Sequence, residues 1–461
     1  MTTIPLSEVR FHPHSFADRG GRLFWWKGDL YRGLSGGTGG FFARLLHDGT
    51  LERLSEQCLL VDTQGTDFTL DGFEAVVRHR ILPFVSYPEE WCPAMLQDAA
   101  LALLDLLIEL ARSGLTLKDA HPWNLLFDRG KPVYVDLTSI VPLKDDQWRG
   151  YDEFRRYYLN PLLLMARNQE RIARRLLLEY DGVLDADVAA LCRSDSVSSL
   201  LPALVRRAKK TWRRAQQRIW APQFQRSFRT EKPPAARSII AYGEIKREIG
   251  DIDLPGASLM GGTEAVVQSV QARDKWTPIQ RRACETLAQL KPASVLDVGT
   301  AARGWYSYSA VASGLAALAM STDSSLLTQL YFDTRRERWP LLPVVMDFTD
   351  PTPSRGLCSH WSIAASERLK CDLVLALGNV EQWIFKRSLN FTQIIDGFAS
   401  FSKRWLLVEF VPPSDDSLRE LSREFSWYNF EHFVEALKER FPSVTVLPSS
   451  PAGRMLLVCE K

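Results

Sequence analysis

The chain has 461 residues, which is too long for a single hydrophobic core, so two or three domains are expected. Hydrophobic residues make up 46% of the chain and charged residues 24%, as in an ordinary globular protein. The net charge of +2 excludes a protein that binds nucleic acid or membrane through bulk charge.

The seven cysteines are scattered and have no Cys-x-x-Cys spacing, so neither a zinc site nor a disulfide framework is predicted. The N-terminal residues contain no apolar signal core, and no stretch approaches the length of a membrane span without charges. We therefore expect a cytoplasmic protein with reduced thiols and no membrane span.

Apolar periodicity predicts the elements of the N-terminal half, with alternation indicating strands and steps of three and four indicating helices. In chain order the predicted elements are strands within 22–34, a helical stretch from Phe41 to Leu60, strands within 73–87, a helix from Pro93 to Ser113 that ends at Gly114, a strand from Pro132 to Leu137 and helices to about residue 220.

Residues 117–136 place Asp119, Asn124 and Asp136 at the spacing of a protein-kinase-like catalytic loop. In kinases the first aspartate orients the acceptor hydroxyl, and the asparagine and second aspartate hold metal ions that bridge phosphates. Carboxylate and amide oxygens also suit Mg²⁺. We therefore predict Asp119 as a catalytic residue, Asn124 and Asp136 as metal ligands, and Mg-ATP as the ligand of this half.

The rest of a kinase is not recognisable in the sequence. There is no Val-Ala-Ile-Lys strand, and the glycine-rich residues 35–40 lack the Gly-Lys-Ser/Thr ending of a phosphate loop, so a surface connection is favoured there. Arg32, Arg78 or Arg80 are candidates to replace the lysine. His121 is interpreted as a packing or hydrogen-bonding residue and not as a ligand. Two alternatives stay open: a kinase-like lobe kept for binding, or a structural loop in which Asp119 and Asn124 bond to backbone amides.

The segment from Arg206 to Lys232 carries ten Lys or Arg and one acid. Within it, residues 205–220 predict a helix with one apolar stripe. A solvated helix between two domains is the simplest interpretation, and weak peripheral binding to an anionic membrane surface, an acidic substrate or nucleic acid are alternatives. No RNA-binding module accompanies it, so nucleic acid is not favoured. Two prolines within 231–237 predict a hinge that ends this helix and excludes another.

The C-terminal half alternates short apolar strands with helices, which predicts a parallel sheet covered on both faces. The predicted elements are a helix at 278–290, a strand at 294–298, a helix at 304–314, a strand at 316–320, a helix at 324–338, strands at 343–346 and 372–376, a helix at 390–402, a strand at 405–410, a helix at 429–440 and strands near 443–447 and 454–459. The predicted domains are 1–230, a linker and lead-in at 231–275, and 276–461.

Ligands of such a sheet bind outside the carboxyl ends of its strands. The turn from Asp297 through Gly299 to Gly304 follows the first strand, and glycine lets a cofactor pack against the main chain. Candidate acceptors for ribose hydroxyls are Ser321 and Asp323 after the second strand. After the third and fourth strands, Asp347 is placed to contact an adenine amino group and Ala376 lies beside the transferred group. The alternative is that these acids cap helices, as in any α/β domain.

Five segments carry a resemblance over nearly the whole chain: 82–91, 115–124, 342–347, 372–377 and 407–412. They resemble a family of bacterial S-adenosylmethionine (SAM)-dependent methyltransferases that includes rhizobial nodulation proteins of the NoeA type. The resemblance implies a class I methyltransferase that uses SAM and a small-molecule, glycan or lipid-linked acceptor.

Two departures from the family pattern affect the predicted site. The family's first turn resembles Asp-Leu-Gly-Cys-Asn-Thr-Gly, whereas here Arg303 is inserted before Gly304. After the fourth strand the family tends to carry a His-His pair, and this chain has Asn379 and Glu381 instead. We therefore predict Glu381 as a base for a hydroxyl acceptor, with Asn379 beside it.

The expected fold class is α/β and α+β, with an N-terminal kinase-like α+β domain followed by a Rossmann-like doubly wound class I methyltransferase domain. Three functional hypotheses follow. The chain is a methyltransferase, a phosphotransferase with a degenerate methyltransferase half, or a non-catalytic scaffold.

Overall fold

The computed structural model describes residues 2–15, 18–144, 148–192, 234–256, 264–413, 425–448 and 453–461. The predicted basic helix at 205–220 lies outside these residues. The chain is a mixed α/β protein with a five-stranded antiparallel sheet in its N-terminal half and a seven-stranded sheet in its C-terminal half.

The N-terminal half contains short strands and seven helices among its described residues. The strands are β1 (Thr2–Thr3), β2 (Arg10–Phe11), β3 (Gly21–Trp26), β4 (Asp29–Leu34), β5 (Thr63–Gly65), β6 (Phe68–Thr69), β7 (Ala75–His79), β8 (Leu115–Leu117), β9 (Leu125–Asp128), β10 (Lys131–Tyr134) and β11 (Ile140–Pro142). The helices are α1 (Gly39–His47), α2 (Thr50–Glu56), α3 (Pro93–Arg112), α4 (Tyr151–Phe154), α5 (Asn160–Met165), α6 (Glu170–Leu176) and α7 (Asp185–Leu191).

The antiparallel sheet has the order β2-β3-β4-β7-β5. Strands β3 and β4 form a hairpin whose turn residues, Lys27 and Gly28, both have left-handed φ angles, as a tight two-residue turn requires. The helical stretch expected from Phe41 to Leu60 consists of the two helices α1 and α2. Gly49, with a φ of +74°, separates them, because glycine adopts this conformation without steric cost.

Helix α3 is the central element of the N-terminal half and confirms the prediction from Pro93 to Ser113 within one residue. All of its leucines except Leu101 are buried, and burying each contributes roughly 1.5–3 kcal/mol. Gly114, with a φ of +71°, follows its end as expected.

The described part of the predicted linker 231–275 is largely helical. The expectation that the prolines exclude a further helix is wrong, because Pro234 begins helix α8 (Pro234–Gly250), where the missing N–H is not needed. This helix packs on α3, and Gln97 on α3 donates to the carbonyl oxygens of Ile249 and Ile252 at 2.9 and 3.0 Å. The placement of the domain boundaries stays a prediction.

The C-terminal half contains eight helices and seven strands among its described residues. The helices are α9 (Glu264–Gln271), α10 (Pro278–Leu290), α11 (Ala301–Ala312), α12 (Ser324–Glu337), α13 (Ala365–Arg368), α14 (Val380–Arg387), α15 (Phe391–Phe401) and α16 (Phe430–Arg440). The strands are β12 (Ser294–Val298), β13 (Ala316–Ser321), β14 (Leu341–Val345), β15 (Cys371–Ala376), β16 (Ser402–Phe410), β17 (Ser443–Pro448) and β18 (Met455–Glu460).

The seven-stranded sheet has the order β14-β13-β12-β15-β16-β18-β17. Strands β12 to β16 are parallel, as predicted from their short, continuous apolar runs. The prediction of a wholly parallel sheet is wrong at β18, which is antiparallel to both neighbours. The connection from β17 to β18 is too short for a crossover helix, so the two strands pair as a hairpin.

The two halves are in direct contact. Asp98 on α3 accepts hydrogen bonds from the Tyr331 hydroxyl at 2.6 Å and from Arg335 at 2.5 Å, both on α12. The β9–β10 turn also touches α12 through Gly130. Within the described ranges, no helix has both the length and the apolar character that crossing a membrane requires.

Candidate active sites

The carboxyl ends of β12 and β15 meet where the strand order of the large sheet reverses, which is the usual ligand position in such sheets. The turn after β12 is tight. Gly299, Thr300, Arg303 and Gly304 all have left-handed φ angles, of +79°, 45°, 57° and +81°. Two of the four are glycines, which accept this conformation readily.

Asn379 connects the ends of β12 and β15. Its Nδ2 atom donates to the Val298 carbonyl oxygen at 2.8 Å. A β-carbon at Gly299 would lie 2.8 Å from the same Nδ2 atom, closer than such contacts allow. An alanine at position 299 would therefore force the Asn379 side chain to move. Asn379, which follows β15 at the start of α14, holds the turn in place through its bond to Val298.

Asp297 is buried, with 2% of its surface exposed, and accepts a hydrogen bond from the Ser307 hydroxyl at 2.6 Å. Burial raises the pKa of this carboxyl to about 7, although the hydrogen bonds from Ser307 oppose the shift. The carboxyl is therefore bonded to helix α11, and its contribution to cofactor binding stays a prediction.

The predicted ribose and adenine contacts lie at the ends of neighbouring strands β13 and β14. Ser321 is buried, and its hydroxyl accepts from the Asp323 backbone N–H at 3.1 Å. Asp323 caps helix α12 by accepting from the Leu326 N–H at 3.0 Å, as the helix-capping alternative predicts. Asp347 accepts from Thr349 with one oxygen and from Arg387 with the other, at 2.6 Å.

Helix α14 was not predicted, and it places two charged residues at opposite ends of this region. Glu381 lies in its first turn, next to Asn379, and Arg387 in its last turn reaches Asp347. Ala376 is the last residue of β15 and is buried. Basic residues are common in the last turn of a helix, and this preference could have drawn attention to Arg387. Because α14 was not predicted, the preference could not be applied.

The residues at this edge fit a nucleoside-type cofactor in their chemistry. Hydroxyl and carboxylate groups that follow β13 and β14 lie beside the glycine turn after β12. Such oxygens can accept hydrogen bonds from ribose hydroxyls and from an adenine amino group. Because both oxygens of Asp347 already have protein donors, an adenine contact there shares an oxygen with Thr349 or Arg387.

In the N-terminal half, the residues of the kinase-like loop come together. Asn124 Nδ2 donates to Asp119 Oδ1 at 3.0 Å, and the Tyr134 hydroxyl lies against both. Burial and the nearby charge of Asp136 raise the pKa of the Asp119 carboxyl. The bond between Asp119 and Asn124 joins two side chains, in contrast to the structural-loop alternative, which expects bonds to backbone amides.

Arg32 on β4 is the arginine that reaches this cluster. Its side chain is 4% exposed, and Nη1 lies 2.9 Å from Asp18, 3.1 Å from Asp136 and 2.6 Å from the Thr138 hydroxyl. Sequence reasoning named Arg32 among three candidates but missed Asp18 and Thr138. The other two arginines face elsewhere, with Arg78 near Asp29 and Gln64 and Arg80 near Asp128.

The glycine-rich residues 35–40 are anchored by the protein itself. Glu74 accepts from the backbone N–H groups of Gly37 at 2.7 Å and Gly39 at 2.9 Å. Amides that would cradle a phosphate are thus already bonded to a carboxylate, which agrees with the expected surface connection. His121 Nε2 lies 3.3 Å from Glu153. Burial opposes a charged imidazole, but the hydrogen bond to Glu153 and the charge of that carboxylate raise the pKa of His121 overall.

No group of three or more His, Cys, Asp or Glu side chains in the described part of the chain has an arrangement suited to a metal ion. The assignment of Asn124 and Asp136 as metal ligands stays a prediction.

No family model matches the chain. Among characterised proteins it is similar to nodulation protein NoeA of Rhizobium meliloti (strain 1021), with 27% identity over 446 residues, or 92% of this chain and 91% of NoeA. The two chains are homologous along nearly their whole lengths.

Solved structures with similarity to the chain include three proteins. They are the bifunctional kinase-methyltransferase WbdD (14% identity, TM-score 0.29, 42% of this chain and 39% of WbdD), the N-terminal domain of EvdMO1 with SAH and D-fucose (12%, 0.29, 44% and 99%) and magnesium protoporphyrin IX methyltransferase of Synechocystis PCC 6803 with SAH (12%, 0.27, 44% and 95%). The match spans about two fifths of the WbdD chain.

Proposed function

We propose that the chain is a SAM-dependent methyltransferase acting on a small-molecule, glycan or lipid-linked acceptor. The observation that carries this proposal is the sheet order β14-β13-β12-β15-β16-β18-β17, with one reversed strand and a glycine turn after β12, the first of these strands along the chain. Doubly wound sheets bind nucleotide-type ligands where the strand order reverses, and here that point lies between β12 and β15. The homology with NoeA extends the proposal to a role in nodulation.

The proposed cofactor contacts come from the carboxyl edge of the sheet. The turn from Gly299 to Gly304 would hold the amino-acid part of SAM, Asp323 would bind the ribose and Asp347 the adenine, and Ala376 would line the site of methyl transfer. Bound SAM supplies a methyl group on a sulfonium. The chain's own contribution is to hold the acceptor in line with that group, and such positioning supplies roughly 7–11 kcal/mol in well-oriented reactions.

Glu381 is the proposed base for a hydroxyl acceptor. It lies in the first turn of α14, next to Asn379. A carboxylate is a weak general base for an ordinary alcohol, whose proton is held far more tightly. An acceptor that is already nucleophilic therefore suits the site better than a simple alcohol.

Calorimetric titration with SAM tests this proposal, and Asp323→Asn is the informative variant. Asparagine caps a helix about as well as aspartate, so the variant keeps α12 but loses the charge proposed to bind ribose. We expect at least a tenfold weaker SAM affinity, with Asp396→Asn, a surface change on α15, as the matched control. A wild-type protein that fails to bind SAM at millimolar concentration contradicts the proposal.

A second candidate function is nucleotide binding in the N-terminal half, as a phosphotransferase or a binding platform. It is favoured by the convergence of Asp119, Asn124 and Asp136 with the cation of Arg32. In this candidate Arg32 contacts phosphate oxygens and Asp119 orients an acceptor hydroxyl. Titration with ATP, with and without Mg²⁺, tests it. ATP binding without SAM binding favours a phosphotransferase, and binding of neither ligand favours a scaffold.

A further inference from the structure

The crossover from β14 to β15, residues 346–370, carries Asp347 near its start and the short helix α13 near its end. It follows β14, the edge strand of the large sheet. The N-terminal half touches this crossover at its start, middle and end, and the strongest contact is at the end.

Arg368 on α13 forms a buried ion pair with Glu90, and the two side chains are 3% and 1% exposed. Arg368 Nη1 lies 2.8 Å from one Glu90 oxygen and Nη2 contacts the other, so the pair is bidentate. Nη1 also donates to the Val85 carbonyl at 2.7 Å, and Nε donates to the Ile363 carbonyl at 3.0 Å. The planar guanidinium is suited to this set of acceptors, which a lysine cannot satisfy together.

Tyr87 completes the contact. The Arg368 guanidinium lies 3.9 Å from the centre of the Tyr87 ring, and the Tyr87 hydroxyl accepts from the Ile363 N–H at 3.2 Å. We call Tyr87, Glu90, Ile363 and Arg368 the arginine clasp. Two of its members come from the segment before α3 and two from the crossover.

The start and middle of the crossover are held separately. Arg174 on α6 donates to the Val345 carbonyl at 3.4 Å, at the end of β14, and Arg175 lies 3.1 Å from Asp350. Further along the crossover, the centre of the Trp361 ring lies 6.5 Å from the centre of the Trp123 ring. Trp123 belongs to the kinase-like loop, so the two candidate sites are joined through this crossover.

A buried ion pair is weak evidence for stability, because removing two charges from water costs much of what their attraction returns. Its strict geometry instead fixes how the two segments dock. We infer that the N-terminal half positions the crossover and thereby Asp347, so that the cofactor site is complete only when the arginine clasp is closed. Arg368 is the positioning residue, and the inference rests on the proposed binding of SAM.

The test compares Arg368→Met and Arg368→Lys with Asp98→Asn in the full chain. Asp98 also joins the halves, but through α12 and without touching the crossover. We expect Arg368→Met to weaken SAM binding at least tenfold in calorimetry, Arg368→Lys to recover part of the loss, and Asp98→Asn to change the affinity less than twofold. Unchanged affinity in Arg368→Met, or an equal loss in Asp98→Asn, overturns the inference.

Hydrogen exchange separates this inference from the proposed function. If wild-type protein does not bind SAM, the proposed function fails, and exchange within 346–370 then decides the positioning role. Faster exchange there in Arg368→Met but not in Asp98→Asn supports it, and equal exchange overturns it. If Arg368→Met does not fold, Tyr87→Phe removes only the hydroxyl that holds Ile363 and is expected to raise exchange in the same residues; unchanged exchange in Tyr87→Phe overturns the inference.

Discussion

Asn379 occupies the space that a β-carbon at Gly299 would need, with its Nδ2 atom 2.8 Å from that position. Any larger residue at this position in the turn after β12 would therefore displace the side chain that follows β15, whether or not a cofactor also approaches the turn. The two residues join the strands on either side of the point where the sheet order reverses. Their contact sets the shape of the proposed cofactor turn.

Gly299→Ala and Gly314→Ala form a matched pair that measures this contact. Both glycines have nearly the same φ, +79° and +81°, so both alanines suffer the same backbone strain of about 1–2 kcal/mol. Gly314 has open space around its β-carbon position, whereas Gly299 meets Asn379. We expect Gly299→Ala to lower the free energy of unfolding by about 1–3 kcal/mol more than Gly314→Ala in urea titration.

Adding Asn379→Ala to Gly299→Ala checks the cause. The double variant is expected to lose less stability than the sum of the single losses, because the clash is removed together with its partner. Additive losses, or equal losses in the two glycine variants, would show that Asn379 does not restrict the turn.

Asp297 makes the free energy of unfolding depend on pH, and the direction of this dependence follows from its pKa. Its folded pKa of about 7 lies above the ordinary value of 3.8, mainly because the carboxyl is buried. Below about pH 4 the carboxyl is protonated in both states. Between pH 4 and 7 the unfolded chain has lost the proton that the folded chain keeps, so the free energy of unfolding falls as pH rises, by at most about 1.4 kcal/mol per pH unit. Above pH 7 the loss is complete.

Asp297→Asn isolates this contribution, since an amide keeps the size and an oxygen for the Ser307 hydroxyl but does not titrate. We expect the stability of the variant relative to wild type to increase from pH 5 to pH 8, measured by urea unfolding at each pH. Glu89 has a pKa raised to about 7 by burial, so it adds a slope of the same sign to both proteins and cancels in the difference. A constant difference across this range contradicts a raised pKa for Asp297.

The sequence predicted the elements of the large sheet well because each central strand is a short apolar run, and burial on both faces requires that pattern. It did not predict the reversal of β18, because strand direction depends on the length of the preceding connection and on available partners. Helix α14 was missed because its eight residues, with a mixture of charged and apolar side chains, give a weak periodic signal.

In the candidate sites, contacts between residues close in sequence could be predicted, whereas contacts between distant residues could not. The spacing of Asp119, Asn124 and Asp136 was sufficient to expect their convergence, since one loop and one short hairpin carry all three. Asp136 and Arg32 are more than a hundred residues apart in the chain. From the sequence, the partner of this loop could therefore be limited only to one of three arginines. Contacts between the halves, such as Glu90 with Arg368, had no local signal.

Gly130→Ala tests the contact between the β9–β10 turn and α12. A β-carbon at Gly130 would lie 2.6 Å from the backbone N and Cα atoms of Arg335, and backbone atoms cannot move aside as a side chain can. Gly28→Ala is the control, because that glycine also turns a hairpin with a positive φ but has nothing within 4 Å of its β-carbon position. We expect Gly130→Ala alone to increase proteolytic cleavage between the halves. Equal cleavage in the two variants would argue against a tight contact.

Arg32→Met tests whether the arginine neutralises the acids of the N-terminal cluster. Without it, Asp18 and Asp136 are left close together, each about one sixth exposed, and like charges at such a site repel. We expect a loss of about 2–4 kcal/mol in the free energy of unfolding at pH 7.5, reduced for partial solvent screening from the cost of breaking a buried pair. Arg80→Met removes an arginine that is itself 46% exposed in its pair with Asp128, so solvent screens the pair and the variant is expected to cost less than about 1 kcal/mol.

Magnesium distinguishes a cluster that merely packs from one that can hold a cation. In Arg32→Met the carboxylates of Asp18 and Asp136 lose the cation that they share, while Lys118 remains 3.6 Å from Asp18. Oxygen ligands of this kind suit Mg²⁺. We expect 10 mM Mg²⁺ to raise the melting temperature of this variant more than that of wild type, and the gain to disappear on adding Asp136→Asn. An equal response in wild type and Arg32→Met would mean that the arginine does not stand where a metal ion binds, and it would weaken Asp136 as a metal ligand.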